Sequence, residues 1–300
     1  MKLTIAVVTM NRAKQLEEAL ESCFNCDLPN DTQFVIIDNA STDDTEEKVK
    51  SIFRNHNFLY YYEKLDNNIG CGNGRNYAYS KSDGDYVYFL DDDAYIDLSN
   101  NKKFFTKAIE ILDTNPNIKT LTTQIYDLVW KRNRVDKIGP KFSKGLYKIY
   151  MFCGGSHFLK RDFFKDTKPY FANKYGYEEI YPSLNVYNYG YINAFASDLL
   201  VIHNPLVNKW DVNSNDGIKL VMTGITQTFL MRSSLFPILL RPLNFLAFFI
   251  RILSNRISIV FFKELISLIQ NNQIKNEKII STLKYSTVYS LFKDFKFSIF

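Results

Sequence analysis

The chain has 300 residues, 46% of them hydrophobic and 23% charged, enough for one large domain with an appendage and unlike a disordered or fibrous protein. Its formal charge of +5 is unevenly spread: up to Asp216 there are 26 Lys and Arg against 29 Asp and Glu, and from Gly217 onward 11 against 3. In that basic tail the cations interleave with long apolar stretches rather than with a recognition module, so nucleic acid is not an expected partner.

The opening "MKLTIAVVTMNR" has too short an apolar run for a signal peptide. It reads as a first strand, "LTIAVVT", and export is not expected. A helical period follows from Ala13 to about Phe24, with apolar positions at Leu16, Ala19, Leu20 and Cys23. Cys23 and Cys26 form a lone C-x-x-C without the second pair of a zinc site and read as reduced thiols. "TQFVIIDNAS" is the second strand, and "STDDTEEKVKSIF" opens a helix that Ser41 or Thr42 can cap, with acids in its first turn. A short strand around "FLYYYEK" leads to the Gly and Asn loop "DNNIGCGNGRNYAYSKS", a helix, and the strand "DYVYFLDDD". The loop's glycines 70, 72 and 74 do not make a G-x-G-x-x-G, and no P-loop lysine follows. Further strands are expected in "IKTLTTQIYD", "YMFCGGSHFLKRDFF" and "YINAFASDLLVIHNP".

Strands alternating with helices at this spacing predict an α/β fold with a parallel sheet whose carboxyl ends carry the ligand site. Thr9 to Arg12, Asp38 with Asn39, and the acids at 91 to 93 all fall on that one rim. This portion is expected to occupy residues 1–216. From 217 to 300 the pattern becomes a basic, apolar helical extension, and "TFLMRSSLFPILLRPLNFLAFFIRILSNRISIVFFKELISLI" holds no uncharged run longer than nine residues, against the roughly 20 that a spanning helix needs. Its arginines at 232, 241, 251 and 256 suggest helices lying in a membrane interface with cations toward anionic headgroups, or else packed on the catalytic domain or a second subunit with the arginines toward water.

Adjacent carboxylates repel, and a strand end loaded with three of them needs compensation. Alternate residues share a face, so Asp91 and Asp93 converge while Asp92 points away. Two converging carboxylates suit a hard divalent cation, Mg²⁺ or Mn²⁺, that recruits phosphate oxygens from a substrate. In "YGYEEIY", Glu178 and Glu179 are neighbouring acids that raise one another's proton affinity; the same pair also fits a helix start enriched in acids.

Four stretches, "TIAVVTMNRAKQLEEALESC", "FVIIDNASTDDT", "NNIGCGNGRNYAYSKSDGDYVYFLDDDAYID" and "YGYEEIYPSLNVYNYGYINAFASDLLVIHNP", together resemble glycosyltransferase family two, the inverting nucleotide-sugar enzymes. The resemblance covers about residues 3 to 205. It implies a GT-A fold, a Rossmann-like mixed sheet flanked by helices, and transfer of a sugar from a nucleotide-diphosphate donor, UDP- or dTDP-linked, to a hydroxyl. By that resemblance Thr9, Asn11 and Arg12 border the nucleotide, and Asp38 or Asn39 reads the base or ribose. Asn68 and Arg75 match the loop that closes over the nucleotide. Asp92 would face the ribose, and Asp91 and Asp93 the metal. Gly154 and Gly155 match the small-residue turn below the donor sugar. Glu179 would be the catalytic base, with Glu178 positioning acceptor or helix, and His203 would be a further metal ligand. Where relatives carry an aromatic, this chain has Met10. Where they carry a further acid and an arginine, it has Tyr181 and Asn185.

The implied setting is assembly of a surface glycan such as capsule or lipopolysaccharide on a glycan or lipid-linked acceptor, at the cytoplasmic face of a membrane, with a homo-oligomer as a further possibility. Two rivals are a phosphatase of the haloacid dehalogenase type and an inactive membrane scaffold. The first places its D-x-D on the first strand, whereas this triplet follows the fourth. The intact acids at 91, 93, 178 and 179 argue against the second.

Overall fold

Continuous apolar runs build the centre of the sheet. In the computed structural model, β1 (Leu3–Thr9), β2 (Thr32–Asp38), β3 (Leu59–Lys64) and β4 (Tyr86–Leu90) lie parallel in the order β3-β2-β1-β4. The structure describes residues 1–99, 101–135, 138–165, 167–172, 176–206, 214–254, 266 and 282–300. Every residue of β2 is buried, as expected of a parallel strand covered on both faces. Alternate side chains of β1 and β2 enter different cores. Ile5, Val7, Phe34 and Ile36 pack with Leu16 and Leu20 of α1 (Ala13–Phe24), whereas Ala6, Val35 and Ile37 pack with Ala78 and Tyr79 of α3 (Cys71–Ser80). Burial of each large apolar side chain stabilises by roughly 1.5–3 kcal/mol.

Beyond β4 the sheet becomes mixed. β10 (Ser156–Lys160) runs antiparallel between β4 and β6 (Ile118–Asp127), and β6 is parallel to β11 (Ile192–His203). A hairpin of β8 (Ile138–Ser143) and β9 (Leu146–Ile149) extends the far edge, while β5 (Ala94–Ile96) pairs with β11 and the two-residue β7 (Arg132–Asn133) with β6. The remaining helices of this unit are α2 (Thr45–Arg54), α4 (Phe104–Thr114), the single turn α5 (Arg161–Phe164) and α6 (Ile180–Asn188).

One local expectation is corrected. Helix α2 begins at Thr45 with Asp44 at its N-cap, not at Ser41 or Thr42. Ser41 instead accepts from the Asn11 backbone N–H and Thr42 donates its own to Asn11 Oδ1, which commits both to the rim. The acid triplet follows the fourth strand as expected, on a turn after β4, which ends at Leu90.

The described residues divide into two compact units, Met1–Pro205 and Leu206–Phe300. The second contains α7 (Asn215–Leu235), α8 (Arg241–Ser254) and α9 (Tyr285–Phe295). Ser214 caps α7, accepting from the Gly217 N–H at 3.0 Å. Among the described residues, no helix is long and apolar enough to cross a membrane. Three of the four arginines expected to meet headgroups also make hydrogen bonds within the chain. Buried Arg232 and half-buried Arg251 both donate to the Phe300 carbonyl, and Arg241 Nε donates to the Phe236 carbonyl at 3.2 Å. Arg256 lies outside the described residues. The outward side of α8 carries Phe245, Leu246, Phe249, Ile250 and Leu253, all exposed.

Candidate active site

Parallel strands present their carboxyl ends on one rim, and the register brings Thr9 of β1 opposite Asp38 of β2. On the β1 and β2 side, asparagines tie three loops together. Asn11 adopts a left-handed backbone, φ 54°, a conformation asparagine tolerates better than most residues. Its Oδ1 accepts from the Thr42 N–H at 2.7 Å. Asn39 donates from Nδ2 to Asn68 Oδ1 at 2.9 Å and accepts the Ile69 N–H, while Asn68 Oδ1 also accepts the Gly70 N–H. Asn68 Nδ2 lies 3.1 Å from Met10 Sδ. Asp38 is fully buried, accepting from the Ser41 N–H at 2.7 Å and from the Tyr62 hydroxyl at 2.8 Å.

The acid triplet separates into two environments. Asp92 accepts from Thr9 Oγ1 at 2.8 Å and from Arg12 Nη1 at 2.5 Å, and the same Arg12 nitrogen stands 2.9 Å from Asp93. Burial pushes the Asp92 carboxyl up to about 6, with Arg12 pulling the other way. Asp91 turns to Arg75, which donates to it at 2.7 Å. Burial works against the Asp91 carboxylate, but Arg75, His203 and Arg134 outweigh it and hold this group below the ordinary range.

Arg75 was expected on a loop closing over the nucleotide. The structure buries it in α3, where besides Asp91 it donates to Glu178, to Glu179 at 3.2 Å and to the Gly154 carbonyl at 3.1 Å. One guanidinium therefore organises three acids. Glu179 is the N-cap of α6, so the helix-start reading of these acids holds as well. Burial first, then Glu178, drives the Glu179 carboxyl up to about 8 despite Arg75. Glu178 is buried beside the Cys71 thiol, and among the described residues no hydrogen bond of ordinary geometry reaches its Oε2. Gly154 is required by close approach: a Cβ there would collide with Glu179 Oε1 and stand 2.8 Å from Arg75 Nη1. At Gly155 an added Cβ would lie 3.1 Å from Asp91 Oδ2.

His203, the last residue of β11, places Nε2 3.3 Å from Asp93 Oδ1. Its Nδ1 meets Asp127 Oδ2 at 2.7 Å, the outer carboxylate that typically orients a ligating imidazole. Burial disfavours the imidazolium, but the hydrogen bond to Asp93 raises its proton affinity above the usual histidine value. Asp91, Asp93 and His203 each offer one ligand atom, all within 4.8 Å of one another. Two carboxylates and an imidazole suit Mn²⁺ or Mg²⁺ by donor type. The residues therefore fit a divalent cation.

Sequence reasoning missed several groups. Asp127 ends β6 on the same rim, and the rule that placed the other acids there applied to it. Arg134 follows the two-residue β7 and carried no signal. His157, fully buried in β10, joins the Gly154 carbonyl at 3.0 Å to the Tyr170 hydroxyl at 2.5 Å and so backs the Gly154 turn. Burial, reinforced by Arg75, pushes this imidazole down to about 3 and keeps it neutral.

In fold the chain falls with solved sugar-nucleotide transferases. It superposes on Staphylococcus aureus TarS 1–349 in complex with UDP-GlcNAc with a TM-score of 0.64 at 19% identity, covering 89% of this chain and 79% of that one. On the mannosyltransferase PcManGT from Pyrobaculum calidifontis, in complex with GDP-Man and Mn²⁺, the TM-score is 0.63 at 15% identity, covering 97% and 79%. These likenesses define the class of fold, GT-A.

Sequence settles the family. The model of glycosyl transferase family 2 matches residues 4–168, more than half of the chain, and the protein belongs to that family. Among curated relatives, the poly(ribitol-phosphate) beta-N-acetylglucosaminyltransferase TarS of Staphylococcus aureus is 35% identical over 115 residues, 38% of this chain. That match spans 19% of the length of TarS.

Proposed function

We propose that the protein is an inverting, metal-dependent glycosyltransferase that moves a sugar from a nucleotide-diphosphate donor, UDP- or dTDP-linked, to a hydroxyl of a glycan or lipid-linked acceptor in surface polysaccharide synthesis. The observation that carries the reading is the convergence of Asp91, Asp93 and His203 beside a second acid pair held by Arg75. A divalent cation held by Asp91, Asp93 and His203 would supply Lewis-acid stabilisation of charge on the donor diphosphate.

The chain's own residues account for the rest. Glu179 is the base: it takes the proton of the acceptor hydroxyl as that oxygen bonds to the anomeric carbon. The bond from that carbon to the diphosphate oxygen breaks, and its electron pair stays on the phosphate. Attack from the opposite face inverts the centre. Arg75 and Gly154 position Glu179, and Glu178 holds Arg75 and directs its second oxygen to the acceptor. Thr9, Arg12 and Asp92 with Asn11, Asp38, Asn39 and Asn68 form the nucleotide side, and Gly155 leaves room beneath the donor sugar.

For the domains, we assign the chemistry to residues 1–216 and attachment to the extension from 217. The exposed apolar side of α8 and the tail's charge of 11 cations against 3 acids support a peripheral place at the inner membrane face. The test of the activity is hydrolysis or transfer of nucleotide sugars with Mn²⁺: Asp93→Ala should abolish it. Retained activity in that variant contradicts the reading, and release of phosphate from simple phosphomonoesters favours a phosphatase.

A further inference from the structure

Three arginines surround the acid cluster, and they differ in what they have left to give. Arg12 is engaged by Asp92 and Asp93. Arg75 is engaged by Asp91, Glu178, Glu179 and the Gly154 carbonyl. Arg134 has its Nε 3.9 Å from Asp127 Oδ2 and its guanidinium 5.3 Å from the centre of the Trp130 ring. Its backbone is fixed by donation to the Ile125 carbonyl at 2.8 Å. Yet among the described residues its side chain donates no hydrogen bond, although only 20% of that side chain is exposed.

A guanidinium carries five donors in a planar fork that matches phosphate oxygens. Half-buried, and held by the Asp127 ion pair and the Trp130 ring alone among the described residues, it keeps donors for an incoming anion. Its place is defined by Gly155, whose added Cβ would stand 3.5 Å from Arg134 Nη1 and 3.1 Å from Asp91 Oδ2. Arg134 thus lies beside the same glycine as a proposed metal ligand. An anion drawn to a cation at Asp91 and Asp93 would come within this fork's reach.

We propose that Arg134 binds the diphosphate of the donor and steadies the charge that the departing phosphate oxygen acquires. This deepens the donor reading above and rests on it. Arg134 is then a diphosphate-selecting residue whose effect separates diphosphates from monophosphates.

The test is calorimetric titration of the full chain, with Mn²⁺ present, by UDP and UMP, or by the GDP and dTDP pairs where uridine nucleotides do not bind. Arg134→Met is expected to weaken the diphosphate about 10- to 100-fold, the range of charge-assisted hydrogen bonds, and to leave the monophosphate within about twofold. Arg132→Met, which removes the other arginine over Trp130 at 5.3 Å, should change neither. Equal weakening of both nucleotides in Arg134→Met, or no weakening, overturns the assignment. If that variant does not fold, Arg134→Lys decides, because it keeps the charge and loses the fork: an unchanged ratio of the two affinities overturns the proposal. A wild-type chain that binds no nucleotide contradicts the donor reading itself, a separate outcome.

Discussion

The two sides of the acid cluster are built to opposite standards. On the side we assign to the nucleotide, Asn11, Asp38, Asn39 and Asn68 spend polar atoms on one another and on loop backbone, and Asp92 has a donor on each oxygen. On the side we assign to transfer, among the described residues Glu178 Oε2 has no hydrogen bond of ordinary geometry, Glu179 holds its proton to about 8, and the Arg134 side chain donates no hydrogen bond. Satisfied networks give rigidity, whereas unsatisfied buried groups cost stability and persist where a ligand completes them. The first side is a frame and the second is a set of groups awaiting reactants.

The sharpest way to break that contrast is Glu179→Gln. It should lower turnover by ~10²–10⁴ while nucleotide binding, read by calorimetry, stays near wild type. Comparable losses in binding would make Glu179 part of the frame. The pH dependence carries the same message with its sign fixed. Glu179 is raised from 4.5 to about 8, so the ionised base of the free chain accumulates only as pH approaches 8, and kcat/KM should climb across that interval and level off above it. Folding stability should move the other way: the folded chain holds a proton that the unfolded chain has lost, so this group's contribution falls as pH rises from 4.5 to 8. A kcat/KM profile flat from pH 6 to 9 would remove Glu179 as the base.

A smaller effect is expected at Asp127. Asp127→Asn weakens the hold on the His203 ring and should reduce Mn²⁺ affinity about 10- to 100-fold, with thermal stability the control. Unchanged Mn²⁺ affinity would return His203 to a structural role. The least effect on chemistry is expected from Phe249→Glu with Ile250→Glu on the outward side of α8. These should abolish sedimentation with phosphatidylglycerol-containing vesicles and leave transfer to a soluble acceptor intact. Vesicle binding that survives the double change would place the membrane contact elsewhere.

Much of this was legible in the residues themselves. β1, β2 and β4 are continuous apolar runs, and their polar ends fixed the rim. What escaped was either short or long in range. The edge strand "IGPKFS" is largely exposed and has no alternating pattern, and β5 and β7 have three and two residues. Asp127 and His203 touch across 76 residues of chain, a pairing set by two parallel strands and by nothing local. The contacts of two tail arginines were equally out of reach of the letters, because Arg232 and Arg251 meet at the carbonyl of Phe300, 68 and 49 residues further on.

The account turns on whether the triplet grips a metal against a diphosphate, and Mn²⁺ titration followed by electron paramagnetic resonance, with and without a nucleoside diphosphate, addresses this most directly. The wild-type chain should bind Mn²⁺ at one site, more tightly when the diphosphate is present, and Asp93→Ala should lose both the site and the enhancement. Nucleotide binding that proceeds equally in EDTA, or Mn²⁺ binding untouched in Asp93→Ala, would contradict it.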